Sequence, residues 1–146
     1  MLSHRWVALG ASAVIFGLGF SLGSVLQTPA LHAQTDKRVF ELRTYTAPEG
    51  KLDALKARFR DHTIQIFNRH NMTSVGYWVP ADAPASQNTL VYILVHPNRE
   101  AAMKNWADFQ ADPEWKKVSA ESQVGGTIVT KVDRVFMDAT DFSPLK

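Results

Sequence analysis

Residues 39–46 read Val-Phe-Glu-Leu-Arg-Thr-Tyr-Thr, and the rest of the fold can be built out from their alternation. Side chains on a strand point to opposite faces with a period of two. Phe40, Leu42 and Thr44 therefore share one face, and Val39, Glu41, Arg43 and Tyr45 the other. The pattern predicts a half-buried strand, and hydrophobicity assigns Phe40 and Leu42 to the side that helices cover. Glu41, Arg43 and Tyr45 are then expected on the opposite side of the sheet. Pro48-Glu49-Gly50 ends the strand in a turn.

Beyond the turn the period changes. Leu52, Leu55, Phe59, His62 and Ile66 step by three and four, which predicts a helix over 51–71 with one apolar stripe. Lys51, Asp53, Lys56, Arg58, Arg60 and Asp61 are placed mostly off that stripe, and Asn71 suits a left-handed stop. Residues 73–79 are rich in β-branched and aromatic types and predict a second strand. Residues 80–88 (PADAPASQN) form a polar loop, and 89–95 (TLVYILV) are nearly all apolar, as a central strand requires. Asn98 can cap a helix over 99–110, with Ala102, Met103, Trp106 and Phe109 on one face. Asp112-Pro113-Glu114 restarts the helix: the Asp caps it, Pro suits the first turn, and Glu complements the dipole. Trp115 and Val118 continue the apolar face until Gly125-Gly126, and 127–137 alternate as a last strand.

The order β-α-β-β-α-β predicts an α+β domain. It fits a ferredoxin-like split βαβ, a four-stranded antiparallel sheet with the helices on one face. Two helices cover one face only, so a second copy of the chain is the expected cover for the other, making a homodimer.

The whole chain of 146 residues is 45% hydrophobic and 21% charged, has no cysteine, and carries a net charge of +2. That composition is ordinary for one soluble domain. The missing cysteine excludes a disulfide scaffold, a thiolate metal site, a cysteine nucleophile and a lipidated N-terminal cysteine. Hydrophobicity is unevenly spread, because residues 6–26 contain no charged side chain. His4 and Arg5 precede that run, and Pro29 and Leu31-His32-Ala33 follow it. A basic start, an apolar stretch and a small residue predict a secretory signal peptide cut after Ala33. The run of about 20 residues is also long enough to span a bilayer, so an uncleaved anchor is the alternative. Either device places the rest outside the cytoplasm, periplasmic or secreted, with membrane contact only through residues 6–26. Residues 1–33 are thus signal or anchor, and 34–146 the folded domain. Losing Arg5 lowers the charge to +1, and no basic stripe is present for nucleic acid.

From about Arg38 to Pro144 the chain resembles the NIPSNAP family. The resemblance rests on Phe40-Glu41-Leu42-Arg43-Thr44-Tyr45, on Gly50-Lys51-Leu52, and on Phe67-Asn68-Arg69-His70. It continues through Val75-Gly76-Tyr77-Trp78 and Ala111-Asp112-Pro113-Glu114-Trp115, in order and at the right spacing. The family is similar to dimeric α/β-barrel proteins, in which two ferredoxin-like domains pack sheet to sheet. That superfamily includes cofactor-free monooxygenases, haem-degrading proteins, isomerases and proteins without known activity. The resemblance therefore implies a fold and a dimer, but no reaction. Family members often carry His in the third strand, where Tyr92 stands here, and an aromatic at the place of His96.

Glu41, Arg43 and Tyr45 are the first candidates for chemistry. A carboxylate, a guanidinium and a phenol on one face can bind a small polar or acidic ligand, or serve acid–base catalysis once burial shifts their pKa values. The plainer reading is a structural ion pair and a core tyrosine. His62 on the apolar stripe is either a general base or a core-edge histidine bonded to a carbonyl. His96 follows Tyr92 and Leu94 on one face of the third strand and either reaches a cavity mouth or merely precedes Pro97. His70 near a helix end complements the dipole. Trp106 and Trp115 are expected as core or interface anchors, and Trp78 as a pocket wall. Ligand binding is expected of Arg43, Tyr45, Trp78 and Tyr92. The histidines show no metal-ligand spacing, so no metal and no cofactor are expected; haem needs only one axial His, but nothing singles one out. Phosphate loops and nucleophile elbows are absent from the sequence. The expectation is an exported dimeric module binding a small ligand or a protein. The alternative is a cofactor-independent monooxygenase or isomerase that uses Glu41, Arg43 and Tyr45 with His62 or His96.

Overall fold

The computed structural model describes residues 38–146. The apolar segment 6–26 and the expected cut after Ala33 lie outside them. Strand β1 (Val39–Thr46) leads through the turn at Gly50 into helix α1 (Leu52–Arg58). A π-helical turn, Phe59–Thr63, follows without a break and continues into α2 (Ile64–Arg69). Strand β2 (Thr73–Trp78), a short 3-10 turn (Ala85–Gln87) and β3 (Thr89–His96) come next. Helices α3 (Arg99–Ala111) and α4 (Pro113–Glu121) precede β4 (Lys131–Asp138). The sheet order is β2-β3-β1-β4 and every neighbouring pair is antiparallel, as the βαββαβ reading requires.

The caps behave as their chemistry dictates. The Asn98 side chain accepts the Ala101 N–H at 2.8 Å. Asp112 Oδ1 accepts the N–H groups of Glu114 and Trp115 at 2.7 and 3.1 Å, satisfying two of the free donors that open α4. Asn71 has φ +55, the left-handed stop that asparagine tolerates.

Register decides which face is which, and it inverts the expectation drawn from β1 alone. Glu41 pairs with Leu94, Arg43 with Tyr92 and Tyr45 with Leu90. Glu41, Tyr92, Leu94 and His96 are all fully buried, beneath the helices. Phe40, Leu42 and Thr44 look to the other side, with Val91, Ile93 and Val95. Both faces of β1 and β3 carry apolar side chains, so hydrophobicity could not phase the sheet. Hydrogen bonding phases it, because the helix side holds the partners that allow Glu41 to be buried.

The helix side is an aromatic core. Phe59, Phe67, Tyr92, Trp106 and Phe109 interlock, with ring centroids 4.9–6.1 Å apart. Met103, expected on the buried face of α3, is 54% exposed. Ile128 plugs the core, and Thr130 bonds the Thr46 carbonyl through its N–H and its hydroxyl. These residues cross the sheet edge before pairing starts, so β4 opens at Lys131 rather than 127. In β2 a bulge between Ser74 and Gly76 inserts Val75, which brings Ser74 and Tyr77 onto the same side, where their hydroxyls bond. Gly76 gives room for the Trp78 indole, since a Cβ there would lie 2.7 Å from it. No helix among the described residues is long and apolar enough to cross a membrane.

Candidate functional site

The site grows from the buried carboxylate of Glu41. Strand β1 carries it inward from the centre of the sheet, where it meets donors from three directions. Trp106 Nε1, from α3, donates to Oε2 at 2.7 Å. His96 Nε2, from the end of β3, lies 3.0 Å from the same oxygen. Arg43 Nη1, two residues along β1, donates to Oε1 at 2.9 Å. Burial opposes ionisation of Glu41, but the bonds from His96, Trp106 and Arg43 outweigh it and hold the carboxyl below its ordinary range. An ionised carboxylate only accepts, so His96 Nε2 carries the proton. The other ring nitrogen, Nδ1, is buried and has no partner among the described residues.

The Arg43 guanidinium carbon sits over the Trp106 indole, 4.0 Å from its centroid, and Nη2 reaches the Tyr45 hydroxyl at 3.5 Å. Tyr45 packs against Tyr92, with centroids 5.4 Å apart, and Tyr77 stacks on the far side of Tyr92 at 5.5 Å. Burial pushes the Tyr92 phenol well above its ordinary pKa, so its O–H remains a donor. That hydroxyl and Arg43 Nε are buried without partners among the described residues.

Four of the five candidate catalytic residues therefore converge: Glu41, Arg43, Tyr45 and His96. His62 does not. It is exposed on the π turn, whereas Thr63 is buried. The Ile64 N–H reaches back five residues to the Phe59 carbonyl, and the wider turn rotates His62 off the stripe and Thr63 onto it. Of the expected ligand-binding residues, Arg43, Tyr45 and Tyr92 meet here. Trp78 stands apart at the β2 edge, 48% exposed. It walls a cleft of about 270 Å³ with Phe59, Tyr77, Val79 and Leu90, while Lys56 and Arg60 stand at the rim. Phe59 and Tyr77 also touch Tyr92, so two rings separate the cleft from the polar interior. A second cavity of about 560 Å³ opens beside His96, lined by Arg38, Asn68, Asn71 and Thr73. Among the described residues no cluster of three or more His, Asp or Glu could hold a metal ion.

Two members of the site were missed in the sequence. Arg58, placed off the stripe, is 93% buried beside Trp115 and Ser122, being only 7% exposed. Its signal was its position, three residues after Leu55 and next to Phe59. Trp106 was expected only as an anchor, although a buried indole N–H calls for an acceptor.

Comparison with known proteins agrees with this architecture. The family model described as NIPSNAP matches residues 40–144. A NIPSNAP family protein of unknown function from Agrobacterium tumefaciens superposes with a TM-score of 0.66 at 24% identity, covering 76% of this chain and 96% of that one. An uncharacterized NIPSNAP-like domain protein from Burkholderia xenovorans gives 0.65 at 18% identity, covering 75% and 90%. A monooxygenase from Streptomyces coelicolor, crystallised with Nanaomycin D, gives 0.52 at 14% identity, covering 73% and 90%, a likeness of fold alone. A search among curated proteins gave no match.

Proposed function

The chain belongs to the NIPSNAP family, and from that premise we propose that it is a dimeric module binding a small ligand in the polar interior between sheet and helices. One observation carries the reading: polar side chains from β1, β3 and the first helix converge there, and Arg43 Nε, Arg58 Nε and the Tyr92 hydroxyl are left buried without partners among the described residues. Buried polar groups are nearly always satisfied, and a bound ligand satisfies them. The test is a thermal-shift screen of small molecules on the full chain. A ligand that binds only the folded state raises its melting temperature. The expected result is a saturable shift that disappears in Arg43→Met with the circular-dichroism spectrum unchanged. A shift that survives in Arg43→Met sinks the site assignment.

The dimer is supported by the outer sheet face, where Phe40, Leu42, Ile93 and Val135 meet in register without a covering helix. Light scattering of the full chain tests it, and a monomer refutes it. Export by residues 1–33 is supported by their sequence pattern, and mass spectrometry of the N-terminus of protein taken from cells decides between cleavage and anchor. A second functional reading, acid–base catalysis, is favoured by the Glu41–His96 pair, because a carboxylate that orients an imidazole leaves the other nitrogen as a base. Enzyme-dependent deuterium exchange into small carbonyl compounds, lost in His96→Gln, would support it; no exchange above buffer would refute it.

A further inference from the structure

The charges of the polar interior do not balance. Glu41 is its carboxylate, and it is already shared by Arg43, His96 and Trp106. Arg58 is the second buried guanidinium, and no salt bridge reaches it among the described residues. Its Nη1 makes one long bond, 3.4 Å, to the Ser122 hydroxyl. Its Nε has no partner among the described residues, and its guanidinium carbon lies 5.2 Å from the Trp115 ring centroid. Burial weakens its hold on the proton, and Tyr45 and Tyr92 counter that only in part. The same two tyrosines stand beside Arg43, Tyr45 at 3.5 Å from Nη2 and Tyr92 as its cross-strand pair. The interior thus holds two buried guanidiniums and one carboxylate, Glu41, which bonds Arg43 and not Arg58, so one positive charge is left in excess. An uncompensated buried charge is destabilising, and an anion placed beside it reverses the sign of its contribution.

The backbone places Arg58 there by a specific device. Helix α1 ends at Arg58, and the π turn begins with the next residue. The turn loosens the hydrogen-bond ladder, and Thr63 Oγ1 donates to the Arg58 carbonyl at 3.2 Å. Arg58 and Phe59 both end buried as a result. Single π turns inside α-helices recur at functional sites.

Building on the binding reading above, we propose that the ligand is a small organic acid whose carboxylate is received between Arg58 and Arg43, with the Tyr45 and Tyr92 hydroxyls as further donors. The cleft at the β2 edge is the approach, and the Phe59 and Tyr77 rings that stand between it and the polar interior must turn aside to admit the acid. Its floor is aromatic and aliphatic, and Arg60 puts positive charge at its mouth, where Lys56 is paired with Asp53. Its volume of about 270 Å³ falls just below the roughly 300–1,000 Å³ of pockets for drug-sized ligands. That size suits a single ring or a short chain rather than a polycycle.

The experiment is calorimetric titration of the full chain with benzoate, phenylacetate and hexanoate, each beside its neutral amide, repeated with Arg58→Met and Arg58→Gln. At least one acid should bind with its amide weaker by about ten- to a hundred-fold, the value of hydrogen bonds to a charged group. Both variants should lose the acid and keep the weak amide binding. Without ligand, Arg58→Met should melt above the wild type, because it removes the uncompensated charge. Equal binding of acid and amide, or undiminished acid binding in both variants, overturns the proposal and leaves the binding reading standing. If no acid binds while a neutral compound shifts the melting temperature through Arg43, the proposal alone falls. If nothing binds, both fall. Melting of Arg58→Met below the wild type contradicts the charge argument whatever the titrations show.

Discussion

Replacing Glu41 by Gln keeps the shape of the side chain and removes its charge, so it measures what the carboxylate holds together. The side chain is fully buried, and Arg43 is 12% exposed, so solvent screens the pair little. Three donors converge on the carboxylate at 2.7–3.0 Å. An amide can accept from two of them at best, and its NH2 group would face the third as donor to donor. Arg43 would become a second buried guanidinium without a counter-charge. Breaking a buried pair in this way costs about 3–5 kcal/mol, a large part of the roughly 5–15 kcal/mol that holds a domain folded. The melting temperature should fall by on the order of 15–25 °C. Urea unfolding followed by tryptophan fluorescence reads the loss as a lower midpoint at unchanged slope. The pH dependence should change as well. The folded-state pKa of Glu41 is depressed, so its contribution is complete above the unfolded carboxyl pKa and is lost as pH falls through the folded value. Glu41→Gln should therefore lie closest to the wild type in acid and furthest from it at neutral pH. A loss below about 1 kcal/mol at neutral pH, within the range of an ordinary neutral hydrogen bond, or a gap independent of pH, would refute the assignment of Glu41 as the hub.

Other outcomes follow from the same structure. Asp112 joins the cap of α4 to Arg69 Nη2 at 2.9 Å and His70 Nε2 at 2.8 Å. Asp112→Ala should cost about 1 kcal/mol through the cap alone, read by urea unfolding. His70 first, and then Arg69, hold the Asp112 carboxyl far below its ordinary pKa, so the stability it contributes is lost as pH falls through that low value and should be missing from the acid limb of Asp112→Asn. Gly76→Ala should displace the Trp78 indole, whose edge lies 2.7 Å from the new methyl; a shift in tryptophan emission with stability changed by less than about 1 kcal/mol is expected. His62→Ala should leave stability within about 0.5 kcal/mol, as surface substitutions do, and leave ligand binding unchanged.

Much of the fold was legible because local rules agreed with one another. The alternation of β1, the apolar run of β3, the Asn98 and Asp112 caps and the Asn71 stop all came from residue chemistry. The phase of the sheet did not, because Phe40 and Leu42 make one face as apolar as the other. Pairing Arg43 with Tyr92 and Val39 with His96 settles it, and register is a long-range property. The site was half legible for the same reason. Glu41, Arg43 and Tyr45 do lie together, as their alternation requires, but on the helix side of the sheet rather than the side it suggested. His62 and Arg58 were misplaced in opposite senses by one π turn, which no residue between 59 and 63 announces. Trp106 looked like an ordinary core residue until its N–H was asked for an acceptor.

The buried guanidiniums outnumber the carboxylate beside them, and the proposed acid is received there. The most direct measurement is the amide-type Nε–H signal of each buried arginine in a ¹H–¹⁵N spectrum, assigned with Arg43→Lys and Arg58→Lys and followed while the full chain is titrated with the acid that binds and then with its amide. The Arg43 and Arg58 signals should move together and saturably with the acid and stay still with the amide. Signals that remain fixed while the acid saturates the protein would place the ligand elsewhere and contradict the proposed site.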